Sequence, residues 1–171
     1  MYGQEEGTLS ISDWGTLLGL ALQKHADSKR NYPSGGALYP IETYVITSAL
    51  PNSLPAVFHY NPSLHALEKL WDMPADMPIK LLAVGPKEDF VFSTLIVFTA
   101  VWKRSSAKYG DFTYTVALLE AGHMSENILL VATALDLKSR PMAGFKDDLI
   151  EKLLDLNPEH EQVVHTVTMS L

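Results

Sequence analysis

Tyr32-Pro33-Ser34-Gly35-Gly36-Ala37-Leu38-Tyr39-Pro40 sets two prolines and two glycines around a hydroxyl, immediately before the apolar run Ile41 to Thr47. Pro33 restricts Tyr32, and Pro40 restricts Tyr39, to extended backbone, so the loop is stiff before any ligand arrives. Stiffness lowers the ordering cost of binding. Glycine has no Cβ, so the backbone N–H groups of Gly35 and Gly36 can face a flat, polar-edged molecule at close range. By residue type alone, the stretch is either a ligand-binding loop or a tight turn that feeds a strand.

Outward from this loop, the chain divides into elements by its periodicities. Ser10-Ile11-Ser12-Asp13 has the form of a capping box with Asp in place of Glu, and Ile11, Trp14, Leu17, Leu18, Ala21 and Leu22 recur at helical spacing, which predicts a helix from Ile11 to about Lys24. Ile41 to Thr47 is rich in β-branched residues and reads as a strand. Ala56 to Tyr60, a turn at Asn61-Pro62-Ser63, and His65 to Leu70 read as a hairpin. Asp76, with Pro78 in the first turn, predicts a short helix ended by Gly85-Pro86.

Ser93 to Trp102 is apolar throughout and strongly β-forming, as in a central strand covered on both faces. Lys103 to Gly110 follows as a short basic segment, then Asp111 to about Leu137 as the longest helix, more than one small domain needs across its core. Pro141 to Phe145 breaks the pattern. Asp147 is expected to cap a last helix through Leu154, and Val163 to Leu171 alternates like a closing strand. Strands grouped early around a long central helix indicate an α+β fold, with a mainly antiparallel sheet flanked by helices.

A length of 171 residues supports one domain spanning 1–171 without a metal or disulfide to hold it. A formal charge of −7 with few basic clusters argues against nucleic acid as a partner. The absence of cysteine excludes thiolate metal sites and thiol nucleophiles, so redox chemistry would need a cofactor. No run reaches about 18 consecutive apolar residues, and no signal-peptide pattern opens the chain, so no membrane span is expected and a cytoplasmic location is the default.

Three further groups could carry chemistry. Lys108-Tyr109-Gly110 puts an ammonium and a phenol just before the long helix, as a catalytic pair or as a solvated helix entry. Glu120, His123 and Asn127 make one polar stripe on that helix. Glu-x-x-His is half of a di-iron motif, but no second copy exists, so no metal is expected and a hydrogen-bonded stripe in the core or at a subunit interface is the better reading. Pro141-Met142-Ala143-Gly144-Phe145 is a backbone-exposing segment or simply a connecting loop.

Taken together, the loop from Tyr32 to Pro40, the pair Lys108-Tyr109, and Glu120-Ala121-Gly122-His123 with Asn127 resemble the azoline dehydrogenases that form thiazoles and oxazoles in ribosomal peptides. These are a branch of the flavin-dependent nitroreductases, and the likeness runs with gaps from about Leu9 to Leu171. The resemblance implies a nitroreductase-like fold, FMN as cofactor, and a homodimer with flavin at its interface, or a pairing with a paralogous subunit. It implies that Pro33, Ser34, Gly35, Gly36, Ala37 and Tyr39 touch the flavin ring, and that Met142, Ala143 and Gly144 bring backbone donors to its N5 edge. It implies Lys108 and Tyr109 as the catalytic pair, and a precursor peptide and a cyclodehydratase complex as partners. A lysine base needs its pKa lowered, and Arg104 is near enough in sequence to contribute.

The likeness also has gaps. The family's Arg-Arg-Ser-type stretch for the FMN phosphate has no counterpart in Met1 to Leu9, its Arg-Gly-Tyr-Arg is replaced by Phe112-Thr113-Tyr114-Thr115, and no basic tail follows at Leu171. The domain is thus expected to be shortened at both ends. Among Lys29, Arg30, Lys103, Arg104, Lys138 and Arg140, Arg30 lies nearest the glycine loop and is the candidate phosphate ligand. These gaps leave an alternative: a non-catalytic subunit of the same fold that acts as a binding or scaffolding partner in a peptide-modifying complex.

Overall fold

The computed structural model describes residues 8–84 and 91–170. Gly85-Pro86, Leu171 and all but the end of Met1 to Leu9 lie outside the described residues. Helix α1 (Ile11–Leu22) opens as the capping pattern requires. Ser10 Oγ accepts the Asp13 N–H at 3.1 Å and donates to its carboxylate at 2.6 Å, while Trp14, Leu17, Leu18, Ala21 and Leu22 turn inward.

Among the described residues, six strands form one sheet: β1 (Ile41–Thr47), β2 (Ala56–Asn61), β3 (Ala66–Asp72), β4 (Thr94–Val101), β5 (Lys138–Met142) and β6 (Glu161–Ser170). Their order is β3-β2-β1-β4-β6-β5, and every pairing is antiparallel. The β2–β3 turn is closed by Asn61, whose Oδ1 accepts the Ser63 and Leu64 N–H groups at 3.1 Å each. β4 is buried at all eight positions. Its alternate residues serve two cores: Ile96, Phe98 and Ala100 pack with α1 and the long helix on one face, Leu95 and Val97 with Leu82, Met142 and Ile150 on the other.

The structure amends four expectations. The short helix after Asp76 is a single 3-10 turn, Ile79–Leu81. Lys103 to Tyr109 is a helix, α2. The long helix α3 covers Thr113–Ala134, 22 residues or about 33 Å, after a 3-10 turn at Gly110–Phe112. It ends where Asp136 takes φ 59° and the Leu137 N–H reaches back to the Ala132 carbonyl, a Schellman-type stop. Helix α4 (Asp147–Leu153) begins with Asp147 already inside its first turn, so Lys146 stands at the cap position. β5 also escapes the sequence pattern because it contains Pro141, a residue an edge strand tolerates since one side of its backbone needs no partner.

Candidate active site

Between α1 and β1 the glycine-rich stretch folds as a 3-10 turn, Gly35–Ala37, with Ala37 N–H donating to the Ser34 carbonyl at 3.1 Å and Leu38 N–H to that of Gly35 at 3.3 Å. Gly36, Ala37 and Tyr39 have φ of 63°, 55° and 48°. For Ala37 and Tyr39 that left-handed backbone costs on the order of 1 kcal/mol each, so neighbouring bonds must hold it. They do: Ser34 Oγ accepts the Tyr39 N–H at 2.9 Å, Arg104 donates to the Tyr39 carbonyl at 3.2 Å, and the Tyr39 hydroxyl accepts the Arg30 N–H at 3.3 Å.

Lys108 and Tyr109, some seventy residues downstream, sit against this turn. A Cβ built on Gly36 would lie 2.6 Å from Lys108 Nζ and 3.0 Å from the Tyr109 hydroxyl, and one on Gly35 would lie 2.3 Å from Val116 Cγ1 and 3.6 Å from the Tyr109 hydroxyl. The two glycines are therefore required by the close approach of α2 and α3. Lys108 Nζ stands 5.4 Å from the Tyr109 ring centre, so ammonium and phenol share one edge of the loop. Val116, the floor under Gly35, carries no sequence signal beyond a helical apolar position.

The two arginines near the loop are held by the protein itself. The Arg30 guanidinium lies 4.5 Å over the Tyr39 ring and donates to the Tyr32 hydroxyl at 2.6 Å, with Nε buried and unpaired. Burial pushes the Tyr32 phenol up from its ordinary value, which keeps it neutral. Arg104 pairs with Glu42 on β1 as well as with the Tyr39 carbonyl, so it faces the sheet and not Lys108, contrary to the role its sequence position suggests. Glu42 also accepts from His59 Nε2 at 2.9 Å, and Glu68 lies 3.4 Å from Nδ1. The hydrogen bond to Glu42 raises the His59 pKa. Burial works against ionisation of Glu42, yet bonds from His59 and Arg104 hold its pKa below the ordinary carboxylate value.

Beside the loop opens a cavity of about 430 Å³, lined by Ala37, Tyr39, Lys24, Lys29 and Arg30 among others. Its one acid, Asp27, pairs with Lys29 at 3.4 Å, which leaves the cavity net positive in a chain of charge −7.

The polar stripe of α3 separates into three roles. Asn127 donates to the Ala21 and Asn31 carbonyls at 3.1 and 2.9 Å, which ties α3 to the end of α1 and to the entry of the loop. His123 is exposed. Glu120 is buried to 1 % exposure beneath the loop, with neither carboxylate oxygen in a closed hydrogen bond. Burial pushes its pKa up to about 7, against the pull of the Ser34 hydroxyl, Arg30, the Ile41 N–H and Arg104.

Pro33 is exposed at the loop's start, and Ser34 is half-buried. Met142, Ala143 and Gly144 lie elsewhere: β5 is separated from β1 by β4 and β6, and Gly144 is tied to Val84, whose N–H it accepts at 2.9 Å. One chain thus assembles the glycine turn, Lys108 and Tyr109 in one place and the segment after β5 in another.

McbC of Escherichia coli, a microcin B17-processing protein, is 33 % identical over 134 residues, which is 75 % of this chain but 49 % of McbC. TfxB of Rhizobium leguminosarum bv. trifolii, a trifolitoxin-processing protein, is 29 % identical over 137 residues, or 76 % of this chain and 36 % of TfxB. The chain therefore spans about half or less of the length of these two relatives. A chain of the E. coli microcin synthetase McbBCD complex with truncated pro-MccB17 bound superposes with TM-score 0.86 and 27 % identity, covering 99 % of this chain and 70 % of that one. The Nitroreductase family pattern matches residues 13–170, and with the antiparallel sheet, the long helix beneath the glycine turn and these relatives, the chain belongs to the nitroreductase family.

Proposed function

We propose that this chain is an FMN-dependent dehydrogenase that oxidises azoline rings to azoles in a ribosomally made peptide. It works as a homodimer, or with a paralogous subunit, beside the cyclodehydratase that makes the rings. The observation that carries this reading is the contact of Gly35 and Gly36 with Lys108 and Tyr109. Similarity to two peptide-processing proteins supports it further.

The residues fit a flavin. Gly36 and Ala37 are exposed on a turn whose geometry is fixed from below, and the adjacent cavity offers Lys24, Lys29 and Arg30 to a phosphate. Bound FMN would supply the hydride acceptor. Making an azole removes a hydride from one ring carbon and a proton from its neighbour, so a base must stand on the substrate side of the turn. Lys108 is exposed there and takes the proton at Nζ, while the Tyr109 hydroxyl orients the ring or relays the proton. The segment Met142, Ala143 and Gly144, remote from the glycine turn within one chain, meets it across two copies in this reading.

A second reading, a scaffolding subunit of the same fold, is favoured by the commitment of both arginines beside the loop, Arg30 to Tyr32 and Arg104 to Glu42. Calorimetric titration with FMN and with riboflavin separates the two. Each charge-assisted bond to a phosphate contributes about 1.5–3 kcal/mol, so a working clamp makes FMN at least ~10-fold tighter than riboflavin. Absence of binding by either ligand favours the scaffold.

A further inference from the structure

In the mechanism proposed above, Lys108 serves only if α2 aims it at the glycine turn, and α2 has little of its own to set that aim. No side chain caps its start, and Ser105 is the one of its seven residues that is buried. Two bonds to the last residues of the loop supply the direction. Just ahead of the helix the Val101 N–H donates to the Pro40 carbonyl at 2.9 Å, and within its first turn Arg104 Nη1 donates to the Tyr39 carbonyl at 3.2 Å. Lys108 follows Arg104 by one turn, about 6 Å along the helix axis. Arg104 is itself held, because its Nη2 pairs with Glu42 Oε1 while Glu42 Oε2 accepts from His59 Nε2 at 2.9 Å. Glu42 lies on β1, two residues past Pro40, with a side-chain exposure of 16 %, so water screens the pair only in part. The guanidinium thus joins α2, the loop and the sheet through two different nitrogens, a task that suits a planar fork and not an ammonium.

We infer that Arg104, anchored by Glu42, is a positioning residue: it fixes the direction of α2 against the Tyr39 end of the loop and so sets where Lys108 Nζ stands relative to a ring held on the turn. The inference rests on the reading of Lys108 as the base and of this turn as the flavin loop. Tyr39 keeps two further ties, from its N–H to Ser34 Oγ and from the Arg30 N–H to its hydroxyl. Loss of Arg104 therefore loosens α2 without opening the turn. The reaction suffers in its turnover, while flavin and peptide still bind.

The test uses the full chain saturated with FMN, acting on a synthetic peptide that carries one thiazoline ring. Wild type is compared with Arg104→Met, Arg104→Lys, Glu42→Ala, Glu42→Gln and the double variant Glu42→Ala/Arg104→Met. Arg104→Met should lower kcat by roughly 10- to 100-fold, as a displacement of about 1 Å does, with peptide KM and FMN affinity nearly unchanged. Arg104→Lys should recover little of the loss, and Glu42→Gln should fall between Glu42→Ala and wild type because its amide oxygen still accepts. The double variant should be no slower than Arg104→Met alone, since both changes break one connection. Hydrogen exchange read by mass spectrometry should be about 10-fold faster over residues 103–109 in Arg104→Met and unchanged over residues 94–101, which reports an intact sheet. Wild-type kcat in Arg104→Met overturns the inference, as does a loss carried by KM alone or a fall in kcat with exchange over residues 103–109 unaltered. Should the methionine variant fail to fold, wild-type kcat in Arg104→Lys overturns it equally. Exchange that behaves as expected in a chain whose wild type leaves the thiazoline unoxidised upholds the anchoring of α2 and refutes the dehydrogenase reading.

Discussion

Gly35 and Val116 occupy the same space: a Cβ on the glycine would stand 2.3 Å from Cγ1 of the valine. Gly35→Ala should destabilise the protein by about 1–3 kcal/mol through overpacking, although its backbone lies outside the left-handed region. The double variant Gly35→Ala/Val116→Ala should recover most of that loss, because the removed methyl groups make room for the new one. Chemical denaturation of the four proteins in this cycle reads the coupling directly. Additive effects would show that the loop and α3 are not in contact.

Lys108→Ala and Tyr109→Phe should each lower azoline oxidation at least ~100-fold while flavin content stays constant, as expected for the loss of a positioned proton-transfer group. Mass spectrometry of the peptide, read as the loss of two hydrogens per ring, gives the rates. Unchanged turnover in both variants would remove the pair from the mechanism.

The pairing of His59 with Glu42 makes stability depend on pH. The folded His59 pKa is raised above its unfolded value, so its contribution is complete below about pH 6.5 and disappears as pH rises through the folded value. The Glu42 pKa is lowered, so its share is present above about pH 4.5 and is lost on further acidification. His59→Gln should therefore lower Tm most between about pH 5 and 6.5 and least above pH 8.

Glu120 acts in the opposite sense on stability. Between about pH 4.5 and 7 the folded chain keeps a proton that the unfolded chain has released, so stability falls as pH rises through that window and levels off above it. Glu120→Gln should be roughly 2–3 kcal/mol more stable than wild type at pH 8 and nearly equal to it at pH 5. Urea denaturation at the two pH values decides this.

Leu119 and Leu130 are 59 % and 61 % exposed on the outer side of α3, with Phe112 and Tyr114 at its start exposed to a similar degree. Burying such side chains between two copies would contribute about 1.5–3 kcal/mol each. The chain should self-associate at tens of micromolar, and Leu119→Asp/Leu130→Asp should return it to monomer. Light scattering over a concentration series measures both.

The parts of the fold that were legible in the sequence are those in which one local pattern decides the outcome. The Ser10 cap, the β-branched run of β1, the Asn61 turn and the mostly apolar β4 each carry their own instruction. The illegible parts depend on remote partners. β5 exists because β6 offers an edge that tolerates Pro141, and α2 exists although its sequence carries no strong cap. At the site, the glycine turn and the Lys108-Tyr109 pair were recognisable separately, but their contact was not. Arg104 sits one helical turn before Lys108, but its guanidinium is drawn to Glu42 on β1 and to the Tyr39 carbonyl, partners that no local pattern announces. Glu120 reads as one member of a polar stripe, and only the folded chain separates it, buried, from His123, exposed three residues on.

The strand order also bears on how the chain reaches this state. β4 lies between β1 and β6, and Thr94 finds its partner at Met169. During synthesis β4 emerges with β1 available but must wait for residues 161–170 before its second edge is covered. Such long-range closure makes folding slow, and an unpaired edge of eight buried, mostly apolar residues can be captured by the same strand of a neighbouring chain. The two-faced core that makes the finished sheet rigid thus leaves the nascent chain with one uncovered apolar strand edge until residues 161–170 dock.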